Sequence, residues 1–101
     1  MKSQIVISRK GYMNKNSKRS TNHEEAEREL QRLLEKLGKK IAKYRVAAGL
    51  TQERLAENVK VRQATIAKLE KGRYIPKIAL LQRIAKALGR VLKITFRKIK
   101  R

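Results

Sequence analysis

The stretch VRQATIAKLEKG at residues 61–72 carries polar side chains at a spacing suited to molecular recognition. Its hydrogen-bonding side chains include Arg62, Gln63, Lys68 and Lys71. An amide offers a donor and an acceptor together, so it can pair with an adenine edge, while cationic groups can bind guanine or a phosphate. Ile66 and Leu69 recur at the three-residue spacing of one helical face. The pattern therefore predicts a short helix that is anchored from behind and presents polar groups outward.

The charge balance of the whole chain indicates a polyanionic partner. The 101 residues include 28 Lys and Arg against 8 Asp and Glu, a formal net charge of +20 at pH 7. Nucleic acid is the first candidate. An anionic membrane is the second, but a membrane-surface helix needs aromatic anchors, and the chain has one Phe, three Tyr and no Trp. No apolar run is long enough to span a bilayer, so we expect no membrane partner and a cytoplasmic, nucleoid-associated location.

The residue types present also argue against several kinds of functional site. The chain has no Cys and one His, which argues against disulfides and against a metal site, and we expect no cofactor. The hydroxyl side chains and His23 have no evident partners that would form a nucleophile and base, and no pair of carboxylates is suggested. We therefore expect a protein that is not an enzyme and has no small-molecule substrate.

Length and composition predict one compact domain with distinct ends. Residues 1–22 contain six Lys and Arg and no acid, which is typical of a flexible basic arm; the alternative is an arm that follows phosphates or enters a DNA groove. Residues 23–37 hold five Glu at the polar positions of an amphipathic helix. Residues 38–89 are predicted to form the remaining helices, and residues 90–101 a strand with a basic tail.

Apolar residues at three- and four-residue spacing predict a succession of helices. Because glycine inside a helix costs about 1 kcal/mol relative to alanine, we expect Gly38 to divide the first helical stretch. Thr51 is typical of an N-cap and Gly72 of the position just past a helix. The predicted helices are residues 23–37, residues 38–48, eight residues opened by Thr51, residues 62–71, and a helix that begins at Pro76 and stops at Gly89.

The closing segment RVLKITFRKI has the two-residue period of a half-buried strand, with Leu92, Ile94 and Phe96 on one face. A single strand leaves backbone groups unpaired, so it needs a partner. The same strand of a second copy would supply one by two-fold symmetry. The alternative is pairing with the segment QIVIS at residues 4–8 of the same chain.

Residues 37–92 resemble the helix-turn-helix domain of the phage Cro and CI repressors and of the xenobiotic-response-element family. The residues that carry the resemblance are LTQE at 50–53, LA at 55–56, Val61, Ile66, LE at 69–70, Gly72, Pro76, Leu81 and IAKALG at 84–89. The resemblance implies an all-α, lambda-repressor-like five-helix domain, here with an extra N-terminal helix and a C-terminal β-strand that pairs across a dimer. It also implies that residues 38–89 bind double-stranded DNA.

The same resemblance implies roles for individual residues. The expected base contacts are Arg62, Gln63, Ala64 and Lys68. The expected phosphate contacts are Thr51, Gln52, Lys71, Arg73 and Lys77. Arg45 and Glu70 match a family pair that forms an ion pair between two helices, and Leu92, Ile94 and Phe96 are the expected dimer strand.

Three positions depart from the family pattern. The family usually has Gly where this chain has Lys60, and Ser or Thr where it has Arg62 and Lys77. A lost N-cap costs about 1 kcal/mol, and a residue other than glycine at positive φ costs a similar amount. We hypothesise that these positions exchange local helix stability for attraction to phosphates.

The ends of the chain resemble a narrower group, the antitoxins of the host-inhibition-of-growth and high-persistence toxin–antitoxin systems. That resemblance implies a homodimer that represses its own operon at a palindromic operator and neutralises a basic toxin, which the acidic helix at residues 23–37 would face. The alternative for this helix is an extra core helix. The alternative function is an architectural or RNA-associated protein that binds nucleic acid without sequence preference.

Overall fold

A computed structural model describes residues 4–9 and 23–99 of the chain, with only the backbone described for residues 4–9. The described residues are mostly helical, with four helices and two short strands. The elements are β1 (Gln4–Arg9), α1 (His23–Ala47), α2 (Gln52–Val59), α3 (Gln63–Glu70), α4 (Ile78–Ala87) and β2 (Val91–Phe96). No helix among these residues has the length and apolar character needed to cross a bilayer. Apart from β1, the basic arm predicted for residues 1–22 lies outside the described residues.

The first helix is continuous, so the predicted division at Gly38 is wrong. α1 runs through 25 residues, and Gly38 is buried in its interior. A Cβ atom at this position would lie 2.5 Å from the carbonyl oxygens of Leu69 and Glu70, at the end of α3. The missing side chain thus lets the backbones of α1 and α3 approach closely. This tertiary contact outweighs the local cost of glycine, and the described residues contain one helix where two were expected.

The helical core takes at least one fully buried side chain from each helix. The largest of these side chains are Ile41, Leu55, Val59, Ile66, Leu69 and Ile84. α2 and α3 are joined by residues 60–62 and pack on this core. α2 starts after Thr51, whose Oγ1 atom accepts a hydrogen bond from the backbone N–H of Arg54 at 3.0 Å, as an N-cap does.

The fourth helix begins two residues later than predicted. Lys77 is its N-cap, in an extended conformation with φ −76° and ψ 153°, and Ile78 is its first residue. Proline at position 76 therefore lies in the preceding loop and is not the first helical residue. The helix ends at Ala87, close to the predicted stop at Gly89.

The two strands form a parallel pair within one chain, in register from Gln4 opposite Val91 to Arg9 opposite Phe96. The prediction that β2 finds its partner across a dimer is wrong for this edge, and the intrachain alternative is correct. Parallel pairing is possible because the whole helical unit connects the strands. Leu92 packs against the core, whereas Ile94 and Phe96 are exposed.

Candidate nucleic-acid interface

The position of α3 is determined by its buried face. Ile66 and Leu69 are both fully buried, and burial of such side chains contributes about 1.5–3 kcal/mol each. The close contact at Gly38 fixes the C-terminal end of α3 against α1. At the same end, Gln31 donates a hydrogen bond to the carbonyl oxygen of Gly72 at 3.0 Å. The helix is therefore held along its length, and its opposite face is left to solvent.

That opposite face carries the residues expected to contact bases. Arg62, Gln63, Ala64 and Lys68 are all exposed. Gln63, Ala64 and Lys68 lie within about 140° of the helix circumference, on the side opposite the buried residues. The only apolar group among them is the methyl group of alanine. This arrangement suits a helix that enters the major groove, where polar side chains reach base edges.

A series of hydrogen bonds connects the N-terminal end of α3 to the interior. Arg45 Nε donates to Glu70 Oε2 at 2.7 Å, and a second guanidinium N–H donates to Glu70 Oε1 at 3.1 Å. Gln52 Nε2 donates to the same Oε1 atom at 2.9 Å. Gln63 Nε2 in turn donates to Gln52 Oε1 at 2.7 Å. Four side chains from three helices are thus linked in sequence, and Gln63 is the exposed end.

The ion pair at the buried end of this series of hydrogen bonds is largely removed from solvent. The side chains of Arg45 and Glu70 are 15% and 7% exposed. Hydrogen bonding to the Glu70 carboxylate, opposed by burial and reinforced by the carboxylate's charge, raises the pKa of Arg45 above its ordinary value. Arg45 also donates to the carbonyl oxygen of Leu50 at 2.8 Å, just before α2. The pair therefore fixes the relative positions of α1, α2 and α3.

The residues expected to contact phosphates are in two places. Thr51 and Gln52 are at the start of α2, where the hydroxyl of Thr51 already caps the helix and the amide of Gln52 is hydrogen-bonded on both sides. The second group, Lys71, Arg73 and Lys77, is exposed between the end of α3 and the start of α4. The geometry leaves the backbone N–H groups of α2 and these three cations as the available phosphate donors.

The unusual caps have the geometry that the sequence predicts. Lys60 has φ 61° and ψ 48°, the left-handed conformation in which glycine is normally favoured. Arg62 and Lys77 occupy the N-cap positions of α3 and α4, and neither makes a side-chain capping hydrogen bond. All three cationic side chains are exposed and near α3 or the loop that follows it.

Sequence reasoning did not identify the contact between Gln52 and Gln63, nor the contacts of Gln31 and Arg83. Arg83 Nε donates to the carbonyl oxygen of Val59 at 3.3 Å, which holds the end of α2. The two glutamines at the first positions of α2 and α3 were the available signal, because consecutive helices in a tight pair bring their first turns together. Gln31 and Arg83 had no comparable signal, since each contacts a backbone group distant in sequence.

Comparison with known proteins identifies the family of this segment. A family model described as helix-turn-helix matches residues 41–91, about half of the chain. An uncharacterized HTH-type transcriptional regulator of Methanothermobacter thermautotrophicus is 58% identical over 50 residues, which cover 50% of this chain and 72% of that protein. The uncharacterized HTH-type transcriptional regulator YgzD of Bacillus subtilis is 37% identical over 57 residues, which cover 56% of this chain and 86% of YgzD.

Two solved structures are similar to the helical unit. The clp gene regulator ClgR from C. glutamicum superposes with a TM-score of 0.56 at 32% identity, covering 61% of this chain and 76% of ClgR. The restriction-modification controller protein C.AhdI from Aeromonas hydrophila superposes with a TM-score of 0.58 at 27% identity, covering 59% of this chain and 87% of C.AhdI. Neither likeness extends over the whole chain.

Proposed function

The chain belongs to the helix-turn-helix family of DNA-binding transcriptional regulators, and on that premise we propose that it is a sequence-specific repressor. In this proposal α3 enters the major groove of an operator. Arg62, Gln63, Ala64 and Lys68 contact bases, with the Gln63 amide on adenine and the Ala64 methyl near thymine. A good bidentate contact discriminates between bases by about 1–3 kcal/mol.

The observation that carries this proposal is the hydrogen-bonded chain that ends at Gln63. A protein that binds only phosphates needs positive charge but no oriented amide. Here the Gln63 amide is held at 2.7 Å by Gln52, which is itself held by the buried Glu70. An amide with a restricted orientation loses less conformational entropy on binding, which favours a specific base contact.

Phosphate contacts complete the proposed interface. Lys71, Arg73 and Lys77 bind the DNA backbone on one side of α3, and the backbone N–H groups of Thr51 and Gln52 at the start of α2 bind it on the other. Each neutralised phosphate steepens the slope of log affinity against log salt by about 0.9. With a net charge of +20, the chain should therefore bind DNA with strong salt dependence.

We propose that the protein binds as a homodimer through β2. In the described residues the sheet has two strands, so the edge of β2 away from β1 has no strand beside it. Two-fold pairing of this edge would join two copies, with the exposed side chain of Phe96 near the contact. Two copies of α3 spaced about one DNA turn apart, roughly 34 Å, would read a palindromic operator.

The most specific form of the proposal is an antitoxin that represses its own operon and neutralises a basic toxin. Residues 23–40 of α1 precede the segment that matches the family, and residues 23–28 are all exposed. Glu24, Glu25 and Glu27 in these turns would complement a basic partner. The core-helix alternative is supported only for the later part of this segment, where Leu34 and Leu37 are buried.

A competition titration tests the repressor proposal. Labelled DNA from upstream of the gene is bound by the protein, and unlabelled specific or unrelated DNA is added in excess. We expect unrelated DNA to leave the complex intact and Gln63→Ala to reduce this preference by about 1–3 kcal/mol. Gln82→Ala, which removes an exposed glutamine on α4, is the matched control and should keep it. If unrelated DNA competes equally with the wild-type protein, the binding is architectural or RNA-associated, as the alternative holds.

The antitoxin proposal needs a separate experiment. The product of the neighbouring gene is co-expressed with the protein, and complex formation and growth are measured. Glu24→Gln combined with Glu27→Gln should weaken the complex, whereas Glu53→Gln and Glu57→Gln on α2 should not. No complex with any neighbouring product would refute the antitoxin role and leave the repressor proposal intact.

A further inference from the structure

An apolar groove lies outside the proposed DNA interface. It has a volume of about 660 Å³ and is enclosed by α1, the loop before α4, the start of α4 and the end of β2. Its floor includes the buried side chains of Leu34, Leu37 and Leu81. None of the residues between 51 and 71, which include α2 and α3, is among its lining residues.

Four large apolar side chains converge on the groove and remain open to solvent. They come from α1, the loop before α4, α4 and β2: Leu30 is 41% exposed, Ile75 66%, Ile78 60% and Ile94 44%. Isolated exposed apolar residues are common on protein surfaces, but a contiguous patch marks a binding site. Ile94, assigned to the dimer strand from the sequence, directs its side chain to this groove.

The rim of the groove has one sign of charge. Among the described lining residues the charged side chains are Lys36, Lys39, Lys40, Lys43 and Arg97, with no acid among them. The two salt bridges of the described residues are Arg45 with Glu70 and Arg54 with Glu57, so none of these five cations takes part in one. A ligand for this surface must present apolar groups inward and negative charge at its edges.

We propose that the groove binds an amphipathic acidic helix of a partner protein. Leu, Ile or Phe side chains at positions i, i+3 or i+4, and i+7 would occupy the apolar floor, and Asp or Glu side chains beside them would meet the lysines of α1. DNA fits the rim but not the floor, because interfaces with DNA are strongly polar. The proposal does not depend on an antitoxin role, since the groove is formed by residues other than Glu24, Glu25 and Glu27.

The test uses the full chain and three synthetic peptides of about five helical turns. The first has a leucine stripe flanked by glutamates, the second replaces every glutamate with lysine, and the third scrambles the first. Fluorescence anisotropy measures their binding. We expect the acidic amphipathic peptide to bind at least about tenfold more tightly than the other two. Equal binding of the lysine peptide or of the scrambled peptide would overturn the proposal.

Variants locate the binding site. Ile75→Ser with Ile78→Ser should weaken the acidic peptide about tenfold and leave DNA affinity unchanged. The matched control is Val46→Ser with Val91→Ser, because these valines are equally exposed, at 65% each, and lie outside the groove. In the same way Lys36→Gln with Lys39→Gln should weaken the peptide, and Lys86→Gln with Lys93→Gln should not.

Other occupants of the groove give distinct results. If the chain sediments as a dimer that the isoleucine variants dissociate, the groove is filled by a second copy and the proposal is wrong. If anionic lipid vesicles bind the wild-type chain but not these variants, and the peptide does not bind, the surface serves a membrane and the proposal is again wrong. A parallel loss of DNA affinity would place Ile75 and Ile78 in the DNA interface and also refute it.

Discussion

Removing either partner of the Arg45–Glu70 ion pair should destabilise the fold strongly. In Arg45→Met the Glu70 carboxylate, which is only 7% exposed in the wild-type protein, keeps one donor, Gln52 at 2.9 Å. Loss of one partner from a buried pair costs about 3–5 kcal/mol, and since Arg45 is still 15% exposed we expect about 3 kcal/mol. The carbonyl oxygen of Leu50 also loses its side-chain donor, which adds about 1 kcal/mol.

The double variant Arg45→Met, Glu70→Leu measures how strongly the stabilising effects of the two side chains are coupled. Replacing both charges with apolar groups avoids an unpaired buried charge, so the double variant should lose less stability than either single variant. Urea unfolding followed by circular dichroism gives the free energies of unfolding. If the losses of the two single variants simply add, the side chains are not coupled, and the argument that this pair holds α1, α2 and α3 together is refuted.

The pH dependence of stability follows from the direction of the pKa shift. The folded state raises the pKa of Arg45, so the stabilisation from its charge is fully present below the unfolded-state pKa. It is lost only when the pH rises through the still higher folded-state pKa. Between about pH 6 and 9 the arginine should add no slope to the free energy of unfolding. When the free energy of unfolding is plotted against pH, the curves for the wild type and for Arg45→Met should run parallel over this range.

Three further predictions concern backbone positions near α3. Gly38→Ala should destabilise by about 2–3 kcal/mol, because the new Cβ would lie 2.5 Å from two carbonyl oxygens, although alanine favours a helix. Lys60→Gly should stabilise by about 1 kcal/mol, because φ is 61° there. Arg62→Ser should gain about 1 kcal/mol from a new N-cap while it weakens DNA binding and reduces the salt slope by about 0.9. Thermal unfolding and salt-dependent DNA titration measure these effects.

Each of these predictions has a control on the same molecule. Ala26→Gly, exposed in α1, should cost only about 1 kcal/mol, and Lys86→Gly in α4 should destabilise where Lys60→Gly stabilises. Lys86→Ser removes a charge far from an N-cap and should change the DNA salt slope less than Arg62→Ser. Stability of Gly38→Ala equal to wild type would show that α1 and α3 can separate without cost. An unchanged salt slope in Arg62→Ser would refute the hypothesis that this position exchanges helix stability for attraction to phosphates.

Local patterns were sufficient to predict the helix pair and its turn. The cap at Thr51 and the buried spacing of Ile66 and Leu69 depend on residues within one or two turns of each other, whereas the strained position of Lys60 was expected from the family resemblance. α1 was harder to predict because the local cost of Gly38 is outweighed by the backbone of α3, more than thirty residues away. Local periodicity contains no information about that contact.

The partner of β2 and the orientation of the Gln63 side chain could not be predicted from the sequence either. The period of β2 predicts a strand but not its partner, since β1 and a second copy offer similar backbone edges. The sequence predicted a base contact for Gln63 but not the hydrogen bond of 2.7 Å that its side chain donates to Gln52. The rotamer of Gln63 depends on the position of the first turn of α2, which carries Gln52. The composition of the sequence does not determine that position.

The cationic residues at the ends of α2, α3 and α4 are tolerated because tertiary contacts hold these helices in place. A missing cap at Arg62, a missing cap at Lys77 and the strain at Lys60 together cost about 3 kcal/mol. Burial of Ile66 and Leu69 alone contributes about 3–6 kcal/mol, and the Arg45–Glu70 pair and the contact at Gly38 hold the helix from the other side. Tertiary contacts can therefore keep α3 in place while a cation replaces the cap at its N-terminal end, and cations also occupy the end of α2 and the start of α4. In the proposed complex, charge at these ends contributes affinity for the DNA backbone, whereas the buried network that orients Gln63 contributes to the choice of base.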